Sequence, residues 1–193
     1  MDLNTPTISK IIDNWIDEDI GRGDLTSPSI TEENGNAYWI AKEEGIFCGV
    51  EILKEIFKKI DLKISSQFNI SDGDKFFKDQ KLLEIYGPPK SLLASERISL
   101  NIAMHLSGIS TYTKNLVNKL EGTNIKLADT RKTTPGLRIF EKYAFKCGGG
   151  VNHRMGLYDA AMIKENHIAW TDNLKNTVQK NSPKFAFYNS YHN

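Results

Sequence analysis

A chain of 193 residues can bury a core as one large domain or two small ones, and its 39% hydrophobic residues include no apolar run near the roughly 20 residues of a membrane span. A formal net charge of +1 excludes a nucleic-acid binder that works through a broad basic surface, and Cys48 and Cys147 are too few for a disulfide framework. The opening Met-Asp-Leu-Asn-Thr-Pro lacks the basic-then-apolar pattern of a secretory signal, so the expected setting is a reducing cytoplasm, with no membrane or nucleic-acid partner.

In chain order, Ile8, Ile11, Ile12, Trp15 and Ile16 have the spacing of an amphipathic helix over 8–18, ended near Gly21. A polar loop leads to an extended stretch over 36–41, and helical spacing returns over 50–60. Short extended runs are expected at 62–64 and 81–86, separated by a turn at Ser71-Asp72-Gly73-Asp74. These elements form a small mixed unit. From Pro88 to Leu120 the pattern is helical, with an expected break at Gly108 and an apolar stripe broad enough for burial on more than one side. Beyond Gly122 a strand is expected at 125–128 and a helix at 135–147, started by Thr134 as N-cap and Pro135 as first helical residue. A strand at 159–164 and a helix at 172–180 complete the alternation, which argues for a parallel sheet or barrel.

Basic residues are distributed unevenly by type. The 25 comprise 20 Lys and five Arg, and Arg97, Arg131, Arg138 and Arg154 leave only Arg22 outside the span 97–154. Arginine offers a planar fork suited to carboxylate and phosphate, which lysine does not. The stretch Asp129 to Arg138, DTRKTTPGLR, puts Arg131 and Lys132 in a loop leaving a strand end, beside a helix start with its free N–H groups. Three glycines at 148–150 exceed what a helix C-cap requires, and His153 and Arg154 follow them closely. Lys164, with Glu165-Asn166-His167, stands at a third strand end, where α/β folds gather ligand groups. Cations brought together repel unless an anion lies between them, so the implied ligand is polyanionic. The competing readings are solvated loops, a structural histidine, or neutralisation by Glu96, Asp129, Asp159 and Glu165. No GxxxxGK[ST] loop, GxGxxG turn or His/Cys metal spacing is present.

Several short motifs recur in a fixed order: Glu18 to Thr26, Asp72-Gly73-Asp74, Ser95-Glu96-Arg97 with Leu100-Asn101, Leu106 to Ile109, Asp129 to Arg138, Glu141 to Ala144, Gly148 to Arg154, Gly156 to Asp159 and Ile163 to His167. In that order and spacing the chain resembles the quinolinate phosphoribosyltransferases, the carboxylating nicotinate-nucleotide pyrophosphorylases of NAD biosynthesis. The resemblance implies an α/β fold with an N-terminal α/β sandwich over 1–107 and an incomplete α/β barrel, type II phosphoribosyltransferase-like, over 108–193. It implies a pentosyltransferase that moves phosphoribosyl from 5-phosphoribosyl 1-diphosphate to quinolinate with loss of carbon dioxide, uses Mg2+, and works as a homodimer or higher homo-oligomer. Carried over by motif, Arg131, His153, Arg154 and Lys164 hold the two quinolinate carboxylates. Thr130 and Lys132 belong to the same pocket, with Lys132 nearer the phosphoribosyl group; Lys132 and Lys164 are the catalytic candidates. Arg97 reaches the pocket of a neighbouring subunit.

The resemblance fades after Ile168 and is lost after about Pro183. The acids that such enzymes use for magnesium and ribose are not found, and the residues from Gly108 to Asn193 are too few to close a barrel. Two alternatives therefore stand beside the enzyme: a truncated, noncatalytic chain that binds anions or pairs with a full-length subunit, and a molybdenum-transport-associated relative of the same fold. The intact Asn152-His153-Arg154 and Asp129 to Lys132 favour the quinolinate enzyme over the latter.

Overall fold

The computed structural model describes residues 5–29, 33–171, 173 and 175–179. Helix α1 (Pro6–Ile20) starts where the Thr5 hydroxyl accepts the N–H of Ile8 and stops where Gly21 donates to the carbonyl of Asp17. Strand β1 (Gly35–Ile40) follows, then the short β2 (Gly45–Ile46) and helix α2 (Val50–Ile60), whose Ile52, Leu53, Ile56 and Phe57 are buried. Strands β3 (Ser65–Phe68), β4 (Lys75–Phe76) and β5 (Lys81–Gly87) complete the first unit. The main sheet is antiparallel in the order β1-β5-β3, and β2 pairs with β4 as a separate ribbon. Alternation along β5 turns Leu83 and Ile85 inward, and α2 packs against β3, α1 and α3. The strand expected at 62–64 begins at Ser65. Asp61 holds the preceding residues in a turn, its carboxylate accepting the N–H of Lys63 and its carbonyl that of Ile64.

Helix α3 (Pro89–Asn118) runs unbroken for 30 residues, through Gly108 and through the expected domain boundary. A single glycine inside a helix costs only about 1 kcal/mol, and the packing of the α3 residues before and after Gly108 outweighs it. The buried polar groups of α3 explain the breadth of its pattern. Ser95 and Ser99 bond back to carbonyls of their own helix, while Ser107 accepts the N–H of Cys48, Thr111 that of Ile46, and Ser110 donates to the carbonyl of Ala144. Helix α3 thus binds the first unit on one side and α4 (Arg138–Cys147) on the other. Phe140 of α4 reaches Trp15 of α1 with ring centroids 4.8 Å apart, so one hydrophobic core serves both units. Gly148, the C-cap of α4, is required by close approach: a Cβ there would lie 2.5 Å from the Ser110 carbonyl oxygen and 2.6 Å from Thr113 Cβ.

Several expectations for the second unit need correction. In place of a strand at 125–128 there is one parallel bridge, Ala128 to Val151, with Val151 donating to the carbonyl of Leu127 and Asp129 to that of Val151. Residues 159–164 form no strand, because no neighbour pairs with them among the described residues. Helix α4 begins at Arg138, not 135: Gly136, at φ +83°, turns the chain after Pro135, and Leu137 rather than Thr134 stands at the N-cap. Lys164 caps the short α5 (Glu165–Ala169). Of the helix expected at 172–180, residues 175–179 are helical and 172, 174 and 180 lie outside the described residues, as does everything from 181 onward. No described helix is long and apolar enough to cross a membrane.

Candidate anion-binding site

The bridge between Ala128 and Val151 sets two chain segments side by side and in parallel, so the loops that leave them, 129–134 and 152–155, start at one edge. Asp129 ties them together. Its Oδ1 accepts hydrogen bonds from the N–H of His153 at 2.7 Å and from Lys142 Nζ, and Lys142 donates also to the His153 carbonyl at 2.8 Å. With its amide nitrogen facing these acceptors, Asn152 donates to Asp129 Oδ2 at 3.1 Å and to the Lys142 carbonyl at 3.0 Å. The Lys142 side chain is 1% exposed and that of Asp129 8%. An interior lysine needs such partners, and here a carboxylate and a carbonyl both receive it.

Arg138, one helical turn before Lys142, straps the same loops. It donates through Nε to Thr133 Oγ1 at 3.0 Å, through Nη1 to the Met155 carbonyl at 3.1 Å and through Nη2 to the Arg131 carbonyl at 3.4 Å. Also from α4, Glu141 accepts the N–H of Thr134 at 3.1 Å and meets His105 Nε2 of α3 at 3.0 Å. Burial raises the Glu141 carboxyl, but the bonds from Thr134 and His105 outweigh it and hold the group below its ordinary value. Both ends of the 129–134 loop, Asp129 and Thr134, are therefore fixed to α4, the helix that follows it.

Of the expected site residues, Thr130, Arg131, Lys132, His153 and Arg154 lie on these two adjoining loops. Thr130 accepts the N–H of Lys132, and Arg131 is half-buried while Lys132 is exposed. Arg154 is 5% exposed and donates to the Ala160 carbonyl at 2.6 Å, which draws the 155–160 turn over the loop; Asp159 in that turn accepts the N–H of Met155. Lys164 is exposed and four residues beyond Ala160, so only the chain path connects it to the rest. Arg97, exposed on α3, is not brought to them within the chain. No carboxylate among the described residues pairs with Arg131, Lys132, His153, Arg154 or Lys164; Asp129, one of the acids expected to neutralise them, serves Lys142 instead. Lys142 and Arg138 escaped the sequence reading as positioning groups. Their signal was two long cations at i and i+4, directly after a cationic loop.

A groove of about 700 Å³ along α3, lined by Trp39, Phe76, Met104 and Tyr112, holds none of these cations. The candidate site is the pair of loops that leave the Ala128–Val151 bridge, on a chain whose mixed helices and strands make it an α/β protein. Two family descriptions match in tandem: "Quinolinate phosphoribosyl transferase, N-terminal domain" over residues 24–107, and the C-terminal domain of the same name over 109–189. The chain belongs to the quinolinate phosphoribosyltransferase family.

A probable nicotinate-nucleotide pyrophosphorylase (carboxylating) from Bacillus subtilis is 49% identical over 168 residues, 86% of this chain and 58% of the relative. A Synechocystis protein of the same name is 40% identical over 87% of this chain and 57% of its own length. The nicotinate-nucleotide pyrophosphorylase structure from Francisella tularensis superposes with a TM-score of 0.86 at 36% identity, covering 93% of this chain and 66% of that one. The chain thus spans a little over half the length of the curated relatives it matches.

Proposed function

We propose that this chain carries the cationic half of a site that transfers phosphoribosyl from 5-phosphoribosyl 1-diphosphate to quinolinate in NAD biosynthesis, with decarboxylation to nicotinate mononucleotide, in a cytoplasmic setting. The observation that carries the reading is the parallel bridge of Ala128 and Val151, locked by Asp129, Lys142 and Arg138, which puts Arg131 and Lys132 on a loop adjoining that of His153 and Arg154, with none of these cations ion-paired to a carboxylate among the described residues. Two carboxylates on adjacent ring carbons suit such a pair of loops, since each can meet its own cation.

In this reading Arg131, His153, Arg154 and Lys164 receive the carboxylates, Thr130 lines the pocket, and Lys132 faces the diphosphate side. The ring nitrogen attacks C1 of the ribose, and the bond to the diphosphate oxygen breaks with its electrons leaving on that oxygen, where Lys132 offsets the charge. The C2 carboxylate then departs as carbon dioxide, its bonding pair held at C2 beside the cationic nitrogen until a proton replaces it. Holding both reactants in place and offsetting the leaving charge is most of what the protein must do.

Magnesium, implied by the family resemblance, finds no carboxylate set at this site among the described residues: Asp129 is engaged by Lys142 and His153, and Asp159 by Met155. The steps above rest on the chain's own cations. Arg97 is proposed to act in a neighbouring subunit; it is exposed on α3 between the exposed apolar Leu93 and Met104, which suits an interface.

The test is to incubate the purified chain with quinolinate, 5-phosphoribosyl 1-diphosphate and Mg2+ and assay nicotinate mononucleotide and diphosphate. Quinolinate-dependent formation of both in equal amounts supports transfer. Quinolinate binding without product would reduce the reading to an anion-binding half-site.

A further inference from the structure

Away from the cationic loops, three segments distant in sequence converge where α4 meets the first unit. Cys48 lies in the link from β2 to α2, Asp72 lies in the turn between β3 and β4, and Cys147 is the last residue of α4. Their two sulfurs and a carboxylate oxygen all lie within 4.8 Å of one another. We propose that Cys48, Asp72 and Cys147 form a binding site for a soft divalent cation of the zinc class, which clips α4 to the N-terminal unit.

Part of the arrangement has a simpler account. Asp72 Oδ1 accepts the N–H groups of Gly49 and Val50 at 2.6 and 3.0 Å, which is a cap for the start of α2. That role does not require two thiols within 4.8 Å of a carboxylate oxygen, nor the bond from Tyr143 to its other oxygen at 2.6 Å. A carboxylate held by two amides and a phenol is oriented as the outer contacts of a metal ligand usually orient it. The donor set also selects the ion. Two sulfurs and one oxygen suit zinc and its neighbours and disfavour magnesium and calcium, which take oxygen alone.

The geometry needs little adjustment. Zn–S bonds of about 2.3 Å and Zn–O bonds of about 2.0 Å place tetrahedral ligands about 3.5–3.8 Å apart, so closing from within 4.8 Å takes movements on the order of 1 Å. Three ligands leave a fourth position for water. Cys48 is fully buried while Asp72 and Cys147 are partly exposed, so an ion approaches from the side of the latter two. Two thiolates and a carboxylate exceed the ion's charge by one, and the N-terminal end of α2 beside Asp72 offsets the remainder.

The reduced 193-residue chain, titrated with Co2+, tests the site through thiolate-to-cobalt charge transfer in the near ultraviolet, with Zn2+ then displacing the colour. One equivalent of Co2+ bound with that band, protons released on binding, and a melting temperature raised by Zn2+ are expected. Cys147→Ser should retain the wild-type circular dichroism and lose the band, and Asp72→Asn should weaken Co2+ at least tenfold. Absence of the band, or its survival in folded Cys147→Ser, overturns the site. Formation of a Cys48–Cys147 disulfide in air with no metal uptake by the reduced protein overturns it as well.

Discussion

Lys142 of α4 and Asp129 of the loop after the parallel bridge form an ion pair in the interior, and the same lysine holds the carbonyl of His153. The charge that joins the two loops is thus a group the ligand never needs to touch. Replacing Lys142 by Met leaves Asp129 buried and uncompensated and should cost about 3–5 kcal/mol, read by urea unfolding. The double variant Lys142→Met with Asp129→Asn should recover part of that loss. Equal stability of the single variant and the parent would contradict the pairing.

Arg138 reaches three acceptors on two loops, a task for a planar fork. Arg138→Lys keeps the charge but cannot span Thr133, the Arg131 carbonyl and the Met155 carbonyl together. Charge-assisted bonds contribute about 1.5–3 kcal/mol each, so quinolinate affinity should fall by about tenfold or more in Arg138→Lys, measured calorimetrically. Unchanged affinity would mean that the loops hold their shape without the strap.

Glu141 links α3, α4 and Thr134, and its carboxyl is held below the ordinary value of 4.5 by bonds that outweigh burial. A depressed carboxyl contributes stability that is complete above the unfolded value and lost as pH falls through the folded one. Glu141→Gln should therefore be less stable than the parent at pH 7, and the gap should close below about pH 4.5 in unfolding curves taken across pH. A gap that stays constant would assign the loss to packing alone.

Two glycines separate backbone freedom from close approach. Nothing lies within 4 Å of a Cβ at Gly108, in the middle of α3, so Gly108→Ala should stabilise the chain by about 0.5–1 kcal/mol. Gly148→Ala would drive a methyl into the Ser110 carbonyl and Thr113 and should destabilise by about 1–3 kcal/mol. Thermal melts of the two variants should shift in opposite directions.

The helices of the first unit and β5 were legible because period and caps agreed: Thr5-Pro6 and Gly21 bound α1, and residues 50–60 have one apolar face. Gly108 misled because a propensity cost of about 1 kcal/mol is small beside the packing of a long helix. The strands at 125–128 and 159–164 carry the composition of buried parallel strands, but a strand is a pairing, and the described residues supply Ala128 with one neighbour and residues 159–164 with none. In the site, the loop residues Arg131, Lys132, His153 and Arg154 stood out as polar groups with no apolar reason for their place. Lys142 did not, because a lysine within a helix reads as solvated until its carboxylate partner is seen.

The central claim is that two loops present paired cations to a small dianion. Isothermal titration of the purified chain with quinolinate and, in parallel, with nicotinate, its monocarboxylate counterpart, tests this most directly. Quinolinate should bind more tightly than nicotinate, added salt should weaken it, and Arg131→Ala or Arg154→Ala should reduce its affinity by at least about tenfold. Equal affinity for the two compounds, or quinolinate binding unchanged in both arginine variants, would contradict it.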